Sequence, residues 1–142
     1  MAQKMTKEEY NAFLSEGART GKLATVGADG QPHVVPIWYV LDGDAIIFMT
    51  GESTVKAKHM RREPRVALCV DDEAPPYTFV TVQGTVQVSP NPPEMLGWST
   101  RIAARYMGAA LADAYGKRNA VDGELLVRLT PTKVIASKGV AD

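Results

Sequence analysis

The chain has 142 residues, 45% of them hydrophobic and 23% charged, which is ordinary for one globular domain with a buried core. Sixteen basic residues balance sixteen acidic ones, so no overall field favours nucleic acid or a membrane, and we expect neither as a partner. The single cysteine excludes an internal disulfide and indicates a reducing, cytoplasmic compartment. Its apolar neighbours predict that Cys69 lies in the core. We find neither a signal peptide nor a run of apolar residues that would span a membrane.

The N-terminal part is expected to form a helix and then strands. Thr6 and Glu9 have the spacing of a capping box, and apolar residues recur every three or four positions, which predicts a helix over residues 6–16. Strands are predicted at 22–26 and 33–41. Pro36 interrupts the second strand and cannot donate to a sheet, which indicates an edge, a bulge or backbone exposed to a ligand.

A basic segment at residues 50–65 follows a buried strand and is the most informative stretch of the sequence. Ser53 or Thr54 caps a short helix, and Pro64 limits its length. The free N–H groups of a helix start, the hydroxyls and the charge of Lys56 form an anion site that suits a phosphate. An ordinary solvated helix with a good cap explains the same pattern, and this segment alone does not separate the two.

The C-terminal half alternates strands with one helical region. A long alternating run at 77–88 predicts a strand, in which Gly84 indicates a bulge. A helical region is predicted from about residue 92 to 117, two closing strands at 124–130 and 133–137, and a loose C-terminus at 138–142. Six or seven strands in mostly hairpin order, with helices between them, predict a single mainly β (α+β) domain over residues 1–142, built as an antiparallel barrel.

The sequence contains no motif for a catalytic nucleophile or a metal. It lacks a glycine-rich nucleotide loop and the Gly-x-Ser-x-Gly turn of many hydrolases. His33 and His59 are the only histidines, so a histidine-rich metal site is excluded and we predict no metal. The catalytic residues therefore stay unknown from motifs alone.

Five segments, taken together, resemble the flavin-binding split-barrel superfamily, the fold of pyridoxamine phosphate oxidase. The most specific part is Ser53-x-x-Lys56 followed by Arg-Arg-x-Pro, in which Pro64 comes eight residues after Lys56. The likeness covers about residues 10–137, and the chain is similar to the small actinobacterial branch that uses the reduced deazaflavin coenzyme F-420. The segments are 21–26, 28–32, 33–38, 50–64 and 77–88.

The resemblance implies a six- to seven-stranded antiparallel split barrel that forms a homodimer with two equivalent sites between the subunits. It implies a cofactor phosphate beside the helix after the third strand and a ring along the second strand, with the partner subunit closing the site. It also implies cationic partners for the anionic tail of the deazaflavin. The positions are Thr50, Ser53 and Lys56 for the phosphate, Pro36, Ile37 and Trp38 for the ring, Tyr77 for the closure, and Lys58, Arg61 and Arg62 for the tail.

The implied activity is transfer of a hydride from reduced F-420 to an electron-poor double bond of a small molecule, such as an enone, a lactone or a quinone. The proton that completes the reduction comes from solvent or from a hydroxyl such as Tyr77. Two alternatives stay open, namely an FMN-dependent oxidase or reductase and a non-catalytic protein that binds or stores a flavin or a tetrapyrrole. The chain stops at Asp142, without the basic, aromatic C-terminal segment of oxidases acting on pyridoxamine phosphate, which argues against that substrate.

Overall fold

A computed structural model describes residues 1–142, which form eight β-strands and four α-helices. A short 3-10 turn, Ala109–Leu111, lies between the last two helices. The strands are β1 (Gln3–Lys4), β2 (Gly21–Val26), β3 (Pro32–Ile37), β4 (Val40–Asp42), β5 (Ala45–Gly51), β6 (Arg65–Asp71), β7 (Phe79–Pro90) and β8 (Glu124–Lys138). The helices are α1 (Lys7–Ser15), α2 (Val55–Arg62), α3 (Met95–Met107) and α4 (Ala112–Asn119).

All strands belong to one antiparallel sheet in the order β3-β2-β6-β7-β8-β5-β4, with β1 beside β8. The edge strands β3 and β4 do not pair with each other, so hydrogen bonds do not close the sheet. Only Trp38 and Tyr39 separate these two strands in the chain, and the split in the barrel therefore lies at this dipeptide. The predicted split barrel is confirmed, with the two-residue β1 as an additional strand.

The main hydrophobic core contains 18 buried residues, among them Tyr39, Phe48 and Leu68. A second, smaller cluster joins α3 to strands β4, β5 and β8, so α3 packs beside the split rather than inside the barrel. Burial of apolar side chains is the main source of stability in both clusters. The second cluster consists of Val40, Ile47, Met95, Ile102 and Leu126.

Arg105 ties α3 to the split. Its guanidinium donates hydrogen bonds to the backbone oxygens of Leu14 (2.8 Å), Gly17 (2.9 Å) and Tyr39 (2.7 Å). The buried Tyr39 hydroxyl donates to Leu14 O at 2.7 Å, and burial raises the pKa of Tyr39 to about 12. These bonds satisfy carbonyl groups at the end of α1 and at Tyr39, between β3 and β4, so the backbone beside Trp38 is tied to α1 and α3.

The bulge predicted at Gly84 is present, but the two closing strands predicted after it are one. Between Gln83 and Gly84 the register of β7 against β8 shifts, because Gln83 pairs with Lys133 and Gly84 with Pro131. The unpaired residue, Thr132, donates its hydroxyl to Gln83 O at 3.2 Å. The prediction of a break at 131–132 was wrong because a bulge accommodates a proline that has no N–H to donate.

The helix starts agree with the sequence patterns. Thr6 and Glu9 form both hydrogen bonds of the predicted capping box at α1. Of the two candidate caps of α2, Thr54 is the N-cap, since its hydroxyl accepts from the Ala57 N–H. No helix combines the length and the apolar composition that a bilayer crossing requires.

Three other predictions need correction. Cys69 is only half-buried, because the flanking residues of β6 point into the core and alternation turns Cys69 to the other face. The C-terminus is not loose, since Val140 and Ala141 donate backbone N–H groups to the loop at residues 76–77. The predicted strand at 33–41 ends at Ile37 and resumes at Val40, so the interruption follows Pro36 rather than coinciding with it.

Candidate functional site

A cavity of about 400 Å³ lies beside the split of the barrel. Pro36, Ile37 and Trp38 line it, and so does Lys56 in the first turn of α2. The family resemblance implied the first three along a cofactor ring and the fourth at a phosphate, and the fold brings all four into one cavity. Its volume is within the usual range of about 300–1,000 Å³ for small-molecule sites. This cavity is the candidate site.

Pro36 lies in β3, which pairs only with β2 and is an edge of the sheet. A proline is tolerated there because the outer side of an edge strand needs no ladder hydrogen bond. Of the three alternatives predicted for Pro36, the edge is therefore confirmed. The edge leaves backbone groups of the strand unpaired along the cavity, where a ligand ring with its own donors and acceptors can reach them.

Trp38 is held as a flat apolar surface at the cavity. Its ring stacks on Tyr106 with the centroids 5.0 Å apart and an interplanar angle of 1°. Tyr106 is fixed in turn, because its hydroxyl donates to Arg19 O at 2.9 Å and accepts from the Tyr39 N–H at 3.2 Å. Burial raises the pKa of Tyr106. Trp38 remains 39% exposed and is available to contact a planar ligand.

The start of α2 is prepared for an anion. The N-cap Thr54 accepts from the Ala57 N–H through its hydroxyl and from the Lys58 N–H through its carbonyl oxygen. The Lys56 N–H finds no acceptor in the preceding loop, residues 52–54. A free N–H at a helix start and the ammonium group of the same residue together form the donor set that binds phosphate oxygens.

Two contacts fix α2 to strand β2. The His59 Nδ1 atom lies 2.9 Å from the Thr25 hydroxyl, and Arg62 donates to the Val26 backbone oxygen. Arg62 was considered as a partner for an anionic tail, but this bond already engages it. A helix held at two points keeps Lys56 in a constant position, as a preorganised site requires.

The remaining predicted site residues do not line the cavity. Thr50 is 5% exposed, and its hydroxyl lies 2.8 Å from that of Thr54, so it supports the cap. Ser53, Lys58 and Arg61 are exposed on or before α2 and have no side-chain partner in the chain. Tyr77 is 43% exposed in the loop before β7, with a left-handed φ of 64°.

Six residues line the cavity that the sequence did not single out. Glu124 carries the only charge among them, and it pairs in the sheet with Gly51 at the end of β5. This pairing joins strands that are far apart in the sequence, so no local pattern indicated it. The six residues are Thr20, Met49, Ser99, Ile102, Asn119 and Glu124.

Burial raises the pKa of the Glu124 carboxyl above its ordinary value of 4.5, although the charge of Lys56 acts in the opposite direction. The folded chain therefore binds this proton more tightly than the unfolded chain does. It follows that the contribution of Glu124 to the free energy of unfolding decreases as the pH rises from 4.5 through the raised pKa.

We expect Glu124→Gln to remove this pH dependence, because glutamine does not titrate. Thermal unfolding of both proteins at several values between about pH 4 and pH 8 measures it. The difference in melting temperature, wild type minus Glu124→Gln, should decrease as the pH rises. A difference that stays constant, or that grows in favour of wild type, would contradict a raised pKa for this half-buried carboxyl.

Comparison with known proteins agrees with the fold. A model of the pyridoxamine 5′-phosphate oxidase family matches residues 6–138. The 5a,11a-dehydrotetracycline/5a,11a-dehydrooxytetracycline reductase of Streptomyces rimosus is 33% identical over 93 residues. That match covers 60% of this chain and 64% of the reductase, so it spans less than two thirds of the relative.

Two solved structures are similar over most of the chain. The conserved hypothetical protein Rv2991 of Mycobacterium tuberculosis has a TM-score of 0.83 and 25% identity, covering 95% of this chain and 86% of that one. A protein described as an F420 reductase has a TM-score of 0.68 and 26% identity, covering 87% and 94%. The family match extends over nearly all residues, and the unclosed antiparallel sheet agrees with it. The chain therefore belongs to the pyridoxamine 5′-phosphate oxidase family of split barrels.

Proposed function

We propose that the protein is an oxidoreductase that binds the deazaflavin coenzyme F-420 in the cavity beside the split. In this proposal it passes a hydride from the reduced coenzyme to an electron-poor double bond of a small molecule, such as an enone, a lactone or a quinone. The observation that carries the proposal is the meeting of Pro36, Ile37, Trp38 and Lys56 in one cavity. The names of the similar proteins, an oxidase family and two reductases, support oxidoreduction, and the F420 reductase supports the choice of coenzyme.

The residues present fit such a coenzyme. The exposed ring of Trp38 and the edge backbone at Pro36 and Ile37 suit a planar heterocycle with polar edges. Lys56 and its free N–H suit a phosphate. Lys58 and Arg61 are exposed beyond the cavity and unpaired, which suits an anionic tail that extends into solvent. A flavin such as FMN shares the ring and the phosphate but lacks that tail.

The bound coenzyme supplies the hydride, so the protein needs no nucleophile or metal of its own for that step. Lys56 and the start of α2 would hold the phosphate, and Trp38, fixed against Tyr106, would orient the ring. Positioning of this kind accounts for a large part of many enzymatic rate enhancements. The acceptor gains the hydride on one carbon and a proton on the atom at the other end of its polarised double bond. We assign that proton to solvent or to the Tyr77 hydroxyl.

We further propose that the active form is a homodimer in which each chain closes the cavity of the other. Tyr77 lies outside the cavity of its own chain, as a residue that acts on a partner would. Val34, on the edge strand β3, is 66% exposed and gives that edge an apolar surface that a second copy would cover. In size-exclusion chromatography with light scattering, the protein should have twice the mass of one chain.

The test of the function is anaerobic turnover with a panel of enones, lactones and quinones. Purified protein and reduced F-420 should oxidise the coenzyme in the presence of at least one acceptor, seen as the return of its visible absorbance. Reduced FMN in place of F-420 is the matched control and should support little turnover. Protein that is isolated yellow with FMN and ignores F-420 would contradict the proposed coenzyme. Tight binding of F-420 without turnover across the panel would instead indicate a binding or storage protein.

A further inference from the structure

Glu124 lies directly beside the proposed phosphate site. Glu124 is the first residue of β8 and pairs with Gly51, the last residue of β5. Gly51 has no side chain that would separate Glu124 from the residues around it. The Oε2 atom of Glu124 is 3.5 Å from the position that a Cβ on Gly51 would take, and the Thr54 Cγ2 atom is 3.7 Å from the same point. The carboxylate and the N-cap of α2 therefore flank one glycine, and Glu124 faces the helix start that contains Lys56.

The charges of the cavity cancel. The lining contains one basic residue, Lys56, and one acidic residue, Glu124, and the other lining residues are uncharged. The charge of Lys56 acts on the Glu124 carboxyl, yet the two residues do not form an ion pair. The main remaining attraction for an anion is the positive end of the α2 helix dipole, which is equivalent to roughly half a positive charge. A ligand with one negative charge matches this cavity better than a ligand with two.

The two candidate coenzymes differ in this respect. FMN ends in a phosphate monoester, whose second ionisation near pH 6 gives it a charge of about −1.5 to −2 at pH 7. The phosphate of F-420 is a diester with a single ionisable oxygen and a charge of −1. If FMN bound with its phosphate at the start of α2, its additional negative charge would lie near the Glu124 carboxylate. These two like charges would repel each other.

We propose that Glu124 determines cofactor selectivity, because its carboxylate disfavours a phosphate monoester and admits a phosphate diester at the start of α2. This inference rests on the proposed function and concerns the same site. It assigns to one residue the discrimination between flavin and deazaflavin, which share the ring and phosphate contacts. Glu124 acts on the phosphate through charge and takes no part in hydride transfer.

A purely structural role of Glu124 makes a different prediction. A carboxylate near a helix start stabilises the helix, so its removal would change the stability of the fold. It would not change the ratio of two affinities measured on the same folded protein. The ratio of the dissociation constants for FMN and F-420 is therefore the informative readout, and the melting temperature of each variant is measured beside it.

The experiment is a fluorescence titration of oxidised FMN and oxidised F-420 against wild type, Glu124→Gln, Glu124→Asp and Glu52→Gln. We expect Glu124→Gln to shift the affinity ratio towards FMN by about tenfold, which lies between the effects of two charges at about 4 Å in water and near a protein surface. Glu124→Asp retains the charge and should keep the wild-type preference. Glu52 is an exposed acid in the loop before α2 and does not line the cavity, so Glu52→Gln should leave the ratio unchanged.

The outcomes separate the two claims. If wild type prefers F-420 and Glu124→Gln leaves the ratio unchanged, the role of Glu124 is overturned and the proposed function stands. The same holds if Glu52→Gln shifts the ratio as much as Glu124→Gln does. If wild type binds FMN more tightly than F-420, the proposed coenzyme is overturned, and with it the selectivity that Glu124 was inferred to provide.

Discussion

Lys56→Ala should weaken the binding of F-420 by about 1.5–3 kcal/mol, which corresponds to roughly a ten- to hundredfold higher dissociation constant. The reason is that Lys56 carries the only positive side chain in the cavity. Its ammonium group forms no ion pair or hydrogen bond within the chain, so its removal leaves no buried group unsatisfied and the melting temperature should change little. Fluorescence titration with the coenzyme measures the affinity.

Lys133→Ala is the matched control for this prediction. Lys133 is an exposed lysine on β8 that does not line the cavity, so its loss changes the net charge equally without touching the site. Binding should be unaffected in this variant. Equal affinities of wild type and Lys56→Ala, or equal losses in both lysine variants, would remove Lys56 from the phosphate site.

Gly84→Ala should destabilise the fold by about 3 kcal/mol, with a melting temperature lower by roughly 10 °C. A Cβ at this position would lie 2.3 Å from the backbone oxygen of Thr130 and 2.8 Å from the Leu129 Cδ1 atom. The first of these atoms belongs to the backbone of β8, so the bulge that pairs Gly84 with Pro131 has to shift before the methyl group fits. Thermal unfolding measures the effect.

Gly97→Ala serves as its control, because the same substitution is made where the surroundings are open. No atom lies within 4 Å of the position that a Cβ on Gly97 would take, and the residue lies in α3. Alanine is the better helix former, so this variant should be more stable by about 0.5 kcal/mol. A melting temperature of Gly84→Ala equal to that of wild type would show that the bulge tolerates a side chain.

Local patterns predicted the local structure well. Thr6 and Glu9 form a capping box because the two residues satisfy each other's backbone N–H groups, whatever surrounds them. The bulge at Gly84 was predictable because a glycine inside an alternating strand indicates a close approach of backbone. The sequence offered two neighbouring hydroxyl residues, Ser53 and Thr54, as the N-cap of α2. In the structure the N-cap is Thr54.

Predictions that depended on distant contacts fared less well. The continuity of β8 across Pro131 depends on the bulge formed with β7, which the sequence around Pro131 does not contain. The ordered end of the chain depends on hydrogen bonds from Val140 and Ala141 to the loop at residues 76–77. Cys69 was misplaced because an apolar run does not reveal which of its residues face the core.

The same division applies to the candidate site. The family resemblance supplied Pro36, Ile37, Trp38 and Lys56, and the cavity contains all of them. Glu124 was missed because its place depends on the pairing of β5 with β8, which is a tertiary contact. The contribution of Tyr77 depends on a second chain and stays a prediction.

A crystal structure of the protein with F-420 would test most directly whether the start of α2 holds the phosphate of a redox coenzyme. We expect the phosphate within hydrogen-bonding distance of the Lys56 Nζ atom and the Lys56 N–H, and the ring beside Trp38 and β3. A phosphate bound away from α2, or a ring bound outside the cavity, would contradict the proposal.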